Sequence, residues 1–93
     1  MLEREPRDSF LLYGVAMEYK RDGEGKQAIA YFTRVIEVDP NHCYAYYQRG
    51  QAQEQQGDLA AARQSYLDGI AAAVRAGDTH AQSELQAALQ MLG

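Results

Sequence analysis

The chain has 93 residues, 46% of them hydrophobic and 24% charged, with nine basic and thirteen acidic side chains giving a net charge of −4. That length holds one small domain or a short array, and the composition is that of a folded chain. The acidic balance argues against a general affinity for nucleic acid or an anionic membrane, because no basic stripe offers counterion release.

Asp8 and Ser9 are N-cap residue types ahead of a helix predicted over 10–21, with Leu12, Val15, Ala16 and Tyr19 on its apolar stripe. Asp22-Gly23-Glu24-Gly25 breaks that pattern. A second helix follows over about 26–38, with Ala28, Ile29, Phe32, Val35 and Ile36 facing inward. Asp39-Pro40-Asn41 closes it, since the residue before proline avoids helical geometry. A third helix is predicted over 43–56, with Gly57 as its left-handed stop and Asp58 as the cap of a fourth running to about residue 76. Gly77 ends the fourth helix. Thr79-His80-Ala81-Gln82 then has the form of a capping box for a fifth over about 79–92. That helix shows Leu85, Ala88, Leu89 and Leu92 on one face and Gln82, Ser83, Glu84, Gln86 and Gln90 on the other. A polar outer face suits the last helix of a stack. No strand pattern competes, so the expected class is all-α.

The chain also repeats itself. Pro6 and Pro40 lie 34 residues apart, and residues 9–40 align with 43–74. Gly23 then meets Gly57, Ala28 meets Ala62, Phe32 meets Tyr66, Ile36 meets Ile70, Tyr13 meets Tyr47, and Ala16 meets Gly50. A 34-residue period with small residues, aromatics and a proline at constant offsets marks an array of helical hairpins.

On these residues the chain resembles the tetratricopeptide repeat (TPR) family, whose unit is a helix–turn–helix of that length. The first repeat carries the signature as Leu12, Val15, Ala16, Tyr19, Ala28, Phe32, Val35 and Pro40. The second carries Tyr46, Gly50, Ala62, Tyr66 and Gly69, and departs at Arg49, Gln53 and Val74. The small residues let paired helices approach, and Phe32 and Tyr66 fill the space left between hairpins. The departures are expected to mark the end of the array, with Val74 letting the fourth helix run on to Gly77. The resemblance implies a right-handed superhelical stack of antiparallel helix hairpins. The expected division of residues 1–93 is a first repeat over about 9–42, a second over about 43–76 and a capping helix over about 79–92.

In that family the first helix of each hairpin lines a concave groove that holds an extended peptide or a partner's helix. The matching positions are Phe10, Tyr13, Met17 and Lys20, then Tyr44, Tyr47, Gln51 and Glu54. Tyrosine offers large contact area at low entropic cost, and methionine adapts to shape. The best-known chaperone-binding members hold a terminal carboxylate with lysines and asparagines. The equivalent places here read Tyr13-Gly14 and Tyr47-Gln48, so an aromatic-reading groove fits better than a carboxylate clamp. The aromatic row admits two readings: an open partner groove, or a surface covered by the capping helix or by a second copy. The function expected is therefore a protein- or peptide-binding module. Its alternative is a self-assembly unit, as a homodimer or as part of a longer array.

Other chemistries find little support. His42 and Cys43, with His80, lack the converging spacing of a metal site and read as a loop histidine and a half-buried thiol. Asp39, Asp58 and Asp78 read as turn and cap residues. Gly23-Glu24-Gly25 has no preceding strand, and no nucleophile–base pairing appears, so neither enzyme activity nor a cofactor is expected. A single cysteine permits no internal disulfide, no apolar run reaches membrane-spanning length, and the N-terminus lacks a signal-type apolar region. The expected setting is cytoplasmic, with no membrane or nucleic-acid partner.

Overall fold

The computed structural model describes residues 8–92. Among them are five helices and no strand: α1 (Ser9–Arg21), α2 (Gly25–Val38), α3 (Cys43–Gln55), α4 (Leu59–Ala76) and α5 (Thr79–Met91). Each boundary has a local cause. Asp8 Oδ1 accepts from the backbone N–H groups of Phe10 and Leu11 at 2.9 and 3.4 Å. Asp58 does the same for Ala61 at 3.1 Å. Asp78 accepts from Ala81 at 3.0 Å. The last contact corrects the capping-box expectation: Thr79 is already helical, and the carboxylate one residue earlier supplies the cap. Gly23 and Gly57, one period apart, take φ of +78° and +83°, which a side chain would strain. The next N–H then folds back five residues, Glu24 to Tyr19 and Asp58 to Gln53, closing each helix in a Schellman turn.

The helices stack as antiparallel hairpins, α1 with α2 and α3 with α4, and α5 packs on α4. One core gathers Leu12 and Ala16 of α1, Ala28, Phe32 and Val35 of α2, and Ala45 of α3. The other gathers Cys43 of α3, Ala62, Tyr66 and Ala73 of α4, and Ala81 and Leu85 of α5. Burial of each large apolar side chain contributes about 1.5–3 kcal/mol. The close approach rests on glycine. A Cβ at Gly50 would lie 2.4 Å from Tyr66 Cε1, and one at Gly69 would lie 2.8 Å from Tyr46 Cβ.

The second repeat's departures from the signature have a structural role beyond marking an end. In the first repeat Tyr19 pairs with Tyr31, ring centroids 5.5 Å apart. One period later the same places hold Gln53 and Ser65, and the Ser65 hydroxyl donates to Gln53 Oε1 at 2.6 Å. Arg49 completes the link, with Nε donating to Ser65 Oγ at 2.9 Å and Nη1 to Thr33 Oγ1 at 3.2 Å. A ring pair is thus replaced by a polar network joining α2, α3 and α4. No buried side-chain polar atom among the described residues lacks a partner. Val74 does let α4 run on: the helix reaches Ala76, and Gly77 turns it in the left-handed region. Arg75 then ties this end back to the earlier turn, donating to Asn41 Oδ1 at 2.9 Å and to the Pro40 carbonyl at 3.1 Å.

Val15 differs from its expected place on the core stripe and is 38% exposed. Its period mate Arg49 reaches α2, and no described helix stands in that position relative to α1.

Candidate functional site

α1 and α3 meet along one face through a chain of polar contacts. The Lys20 ammonium donates to Gln51 Oε1 at 2.9 Å and to Gln48 Oε1. Gln51 Nε2 donates in turn to the Tyr47 hydroxyl at 3.2 Å. Tyr47 lies 6.2 Å from Tyr66 and 6.3 Å, edge-on, from Tyr44. The Tyr66 hydroxyl donates to Glu54 Oε2. Lys20, Tyr44, Tyr47, Gln51 and Glu54 are therefore brought together, with Gln48 and the buried Tyr66 added to them.

Tyr13 joins this chain through a side-chain hydrogen bond with Gln48, and both Tyr13 and Met17 are half-buried against the first core. The Tyr13 ring meets Phe32 edge-on at 5.7 Å and stacks on His42 at 4.7 Å. His42 is more than a loop residue, since its Nδ1 accepts from the Ala45 N–H at 3.2 Å and caps α3. Phe10 is not drawn into the group: its side chain is 80% exposed.

The electrostatics follow burial. Burial lowers the Lys20 ammonium pKa and raises the Tyr13 phenol, with Gln48 offsetting part of the latter. Burial, and then the Glu84 carboxylate, raise the Tyr44 phenol. Burial and Glu54 push the Tyr66 phenol well above its ordinary value, so it stays a hydrogen-bond donor.

Sequence reasoning placed Glu84 on the outer face of α5; the structure turns it toward α3. Glu84, Ala87, Ala88 and Met91 form the α5 wall of an open pocket of ≈ 360 Å³, with Tyr47, Gln51 and Glu54 opposite and Tyr66 beneath. The capping helix thus packs beside Tyr44 and Tyr47 and leaves the pocket open at Tyr47, Gln51 and Glu54. The available signal was the three- and four-residue stepping of Glu84, Ala87 or Ala88, and Met91, which matches the stepping on α3.

Among the described residues no three His, Cys, Asp or Glu side chains gather as a metal site. Cys43 is buried and its thiol donates to the Asn41 carbonyl at 3.5 Å. Burial and Asp78 raise its pKa, which keeps it protonated and unreactive at neutral pH. No described helix is long and apolar enough to cross a membrane.

Two helix hairpins at a 34-residue period, small residues at the helix crossings and a flanking fifth helix define an α-solenoid repeat protein. Sequence profiles for the tetratricopeptide repeat match residues 11–42 and 31–64. The chain is 32% identical over 92 residues to the TPR repeat-containing protein PA0015 of Pseudomonas aeruginosa, an alignment spanning 99% of this chain and 88% of that protein. It belongs to the tetratricopeptide repeat family. Among solved structures, the solution structure of a tetratricopeptide repeat domain protein from Salinibacter ruber matches with a TM-score of 0.87 at 30% identity, covering 96% of this chain and 90% of that one. A crystal structure from the same organism gives a TM-score of 0.84 at 30% identity, covering 91% and 94%. Protein BPP2914 from Bordetella parapertussis gives 0.82 at 29% identity, covering 91% and 74%. The fold is accordingly the right-handed stack of antiparallel hairpins, and TPR repeats in general mediate protein–protein interaction and are not catalytic.

Proposed function

We propose that residues 1–93 act as one unit, two repeats over 9–42 and 43–76 with a capping helix over 79–92, and that it is a non-catalytic adaptor. It holds an extended peptide or a partner's helix in a concave groove along α1 and α3, lined by Phe10, Tyr13, Met17 and Lys20, then Tyr44, Tyr47, Gln51 and Glu54. The observation that carries this reading is the row of half-buried side chains on α3, Tyr44, Tyr47, Gln51 and Glu54, the last three of which open on the ≈ 360 Å³ pocket. Aromatic burial supplies most of the affinity, and the polar chain from Lys20 to Glu54 sets register. The lone buried thiol suits a reducing, cytoplasmic setting.

Tyr13 and Tyr47 are poor first targets for truncation, because each ring packs on Phe32 or Tyr66. Phe10 and Gln51 are better. Binders selected from a random peptide display library should lose about tenfold in affinity to a Phe10→Ala/Gln51→Ala protein. Its melting temperature should barely move, since neither side chain is core. Binders indifferent to the double change would place the recognition surface elsewhere.

A second reading, self-assembly as a homodimer or within a longer array, is favoured by the outer face of α1. Leu11 and Val15 are 54% and 38% exposed, whereas Ala45, the period mate of Leu11, is fully buried in the first core. A second copy could cover Leu11 and Val15 as α2 covers Ala45. In that case light scattering over a dilution series shows a mass that doubles with concentration, and Leu11→Glu abolishes the rise. A monomer at every concentration removes this reading.

A further inference from the structure

The pocket between α3 and α5 has a chemistry that the rest of the aromatic row lacks. Two carboxylates, Glu54 and Glu84, border it together with the half-buried Tyr47 ring and the Gln51 amide. Ala87, Ala88 and Met91 make the remaining wall apolar, and the Met91 side chain is 86% exposed at its rim. Among the described residues neither carboxylate meets a lysine or an arginine. Glu54 accepts the Tyr66 hydroxyl, and Glu84 lies 3.1 Å from His80 Nε2. Lys20, the cation that reaches this neighbourhood, is taken up by the amide oxygens of Gln48 and Gln51. The chain's net charge of −4 reinforces the local field.

Charge and shape together select the occupant. An anionic group meets two like charges, and a purely apolar one desolvates them with nothing in return. An aliphatic stem with a cationic head satisfies both halves: the stem lies along the alanines and Met91, and the head reaches the carboxylates beside an aromatic ring. At ≈ 360 Å³ the pocket is near the lower end of ligand-sized cavities, about 300–1,000 Å³, and fits one side chain better than a helix. We infer that the α3–α5 pocket is a subsite for a basic side chain, lysine or arginine, of the partner polypeptide. The assignment rests on the reading of the α1–α3 face as a peptide groove, and it adds the partner's charge and where that charge docks.

Small probes test the pocket separately from the groove. The isotope-labelled protein is titrated with butylammonium, butylguanidinium, butanol and butyrate at constant ionic strength, and amide shifts are followed by NMR. Both cations should produce saturable shifts confined to residues 47–54 and 84–91, and the stronger of the two tells lysine from arginine. Butyrate should produce none, and butanol binding should be about fivefold weaker or less. Glu54→Gln/Glu84→Gln keeps the acceptor for Tyr66 and should weaken cation binding about fivefold while leaving butanol unchanged. Met91→Lys places a tethered cation at the rim of the pocket and should displace both cations. Butanol shifts as large as those of the cations, or cation shifts indifferent to the double change, overturn the assignment. Either result leaves the peptide selections against Phe10 standing, since Phe10 lies outside the pocket that Gln51 lines, so with Phe10→Ala alone the subsite and the groove can fail independently.

Discussion

Tyr66→Ala is expected to cost about 3–5 kcal/mol, the range for removing a large buried aromatic, and to lower the urea midpoint accordingly. For a chain of this size the whole unfolding free energy is only about 5–14 kcal/mol, so much of the population would unfold on modest heating. The expectation rests on three facts about one ring. It is fully buried, it packs 6.2 Å from Tyr47, and it occupies the space left by the missing side chain of Gly50. Tyr66→Phe separates the ring from the hydroxyl. It should cost only about 1 kcal/mol, because the Glu54 carboxylate that loses its donor borders an open pocket where water can replace it. An alanine variant that loses less than about 1.5 kcal/mol would show that the second core closes over the gap, and that this ring does not hold the hairpins together.

The second large effect comes from adding atoms. Gly50→Ala introduces a Cβ 2.4 Å from Tyr66 Cε1 and 2.8 Å from Cδ1 and Cζ, inside the contact limit for any pair of carbons. The ring cannot retreat easily, with its hydroxyl held by Glu54 and its edge against the second core. Overpacking of this kind costs about 1–3 kcal/mol and outweighs the roughly 1 kcal/mol of helix propensity that alanine offers over glycine. Gly14 supplies the opposite case on α1. A Cβ there meets nothing within 4 Å, so Gly14→Ala should raise stability by about 0.5–1 kcal/mol. Chemical denaturation of both variants, with a Tyr66→Leu background added for Gly50→Ala, decides the matter. A penalty at Gly50 that does not shrink when the ring is removed would exclude the clash as its cause.

The same two glycines show how much of the fold was legible in advance. Gly50 aligned with Ala16 at the 34-residue period, and small residues at that offset implied a close helix crossing before any contact was known. Turn glycines, caps and apolar spacing placed all five helices to within a residue, because each of these signals acts through the nearest few residues of backbone. Gly14 bore no such reading, since an open space around a helical glycine is a property of what is not packed against it.

The candidate site was legible on α1 and α3 and not on α5. Tyr44, Tyr47, Gln51 and Glu54 follow from the repeat register, because they copy positions of the first hairpin. Glu84 and Met91 copy nothing in the chain, and the polar side of an amphipathic helix reads as solvent-facing until the rotation of that helix is known. The Gln53–Ser65–Arg49 network was hidden for a related reason. Arg49 and Gln53 each depart from the signature, and only their meeting with Ser65 and Thr33 across α2, α3 and α4 turns those departures into one satisfied group.

What the amino-acid sequence determined by itself was the number of helices, their ends, their pairing into hairpins and their family, since short-range backbone preferences and a repeated spacing settle those. What the tertiary structure alone decided was which way α5 faces. That choice turns a solvated glutamate and an exposed methionine into one wall of a pocket, and it rests on how Leu85 and Ala81 pack against α4, a contact between segments with no common period.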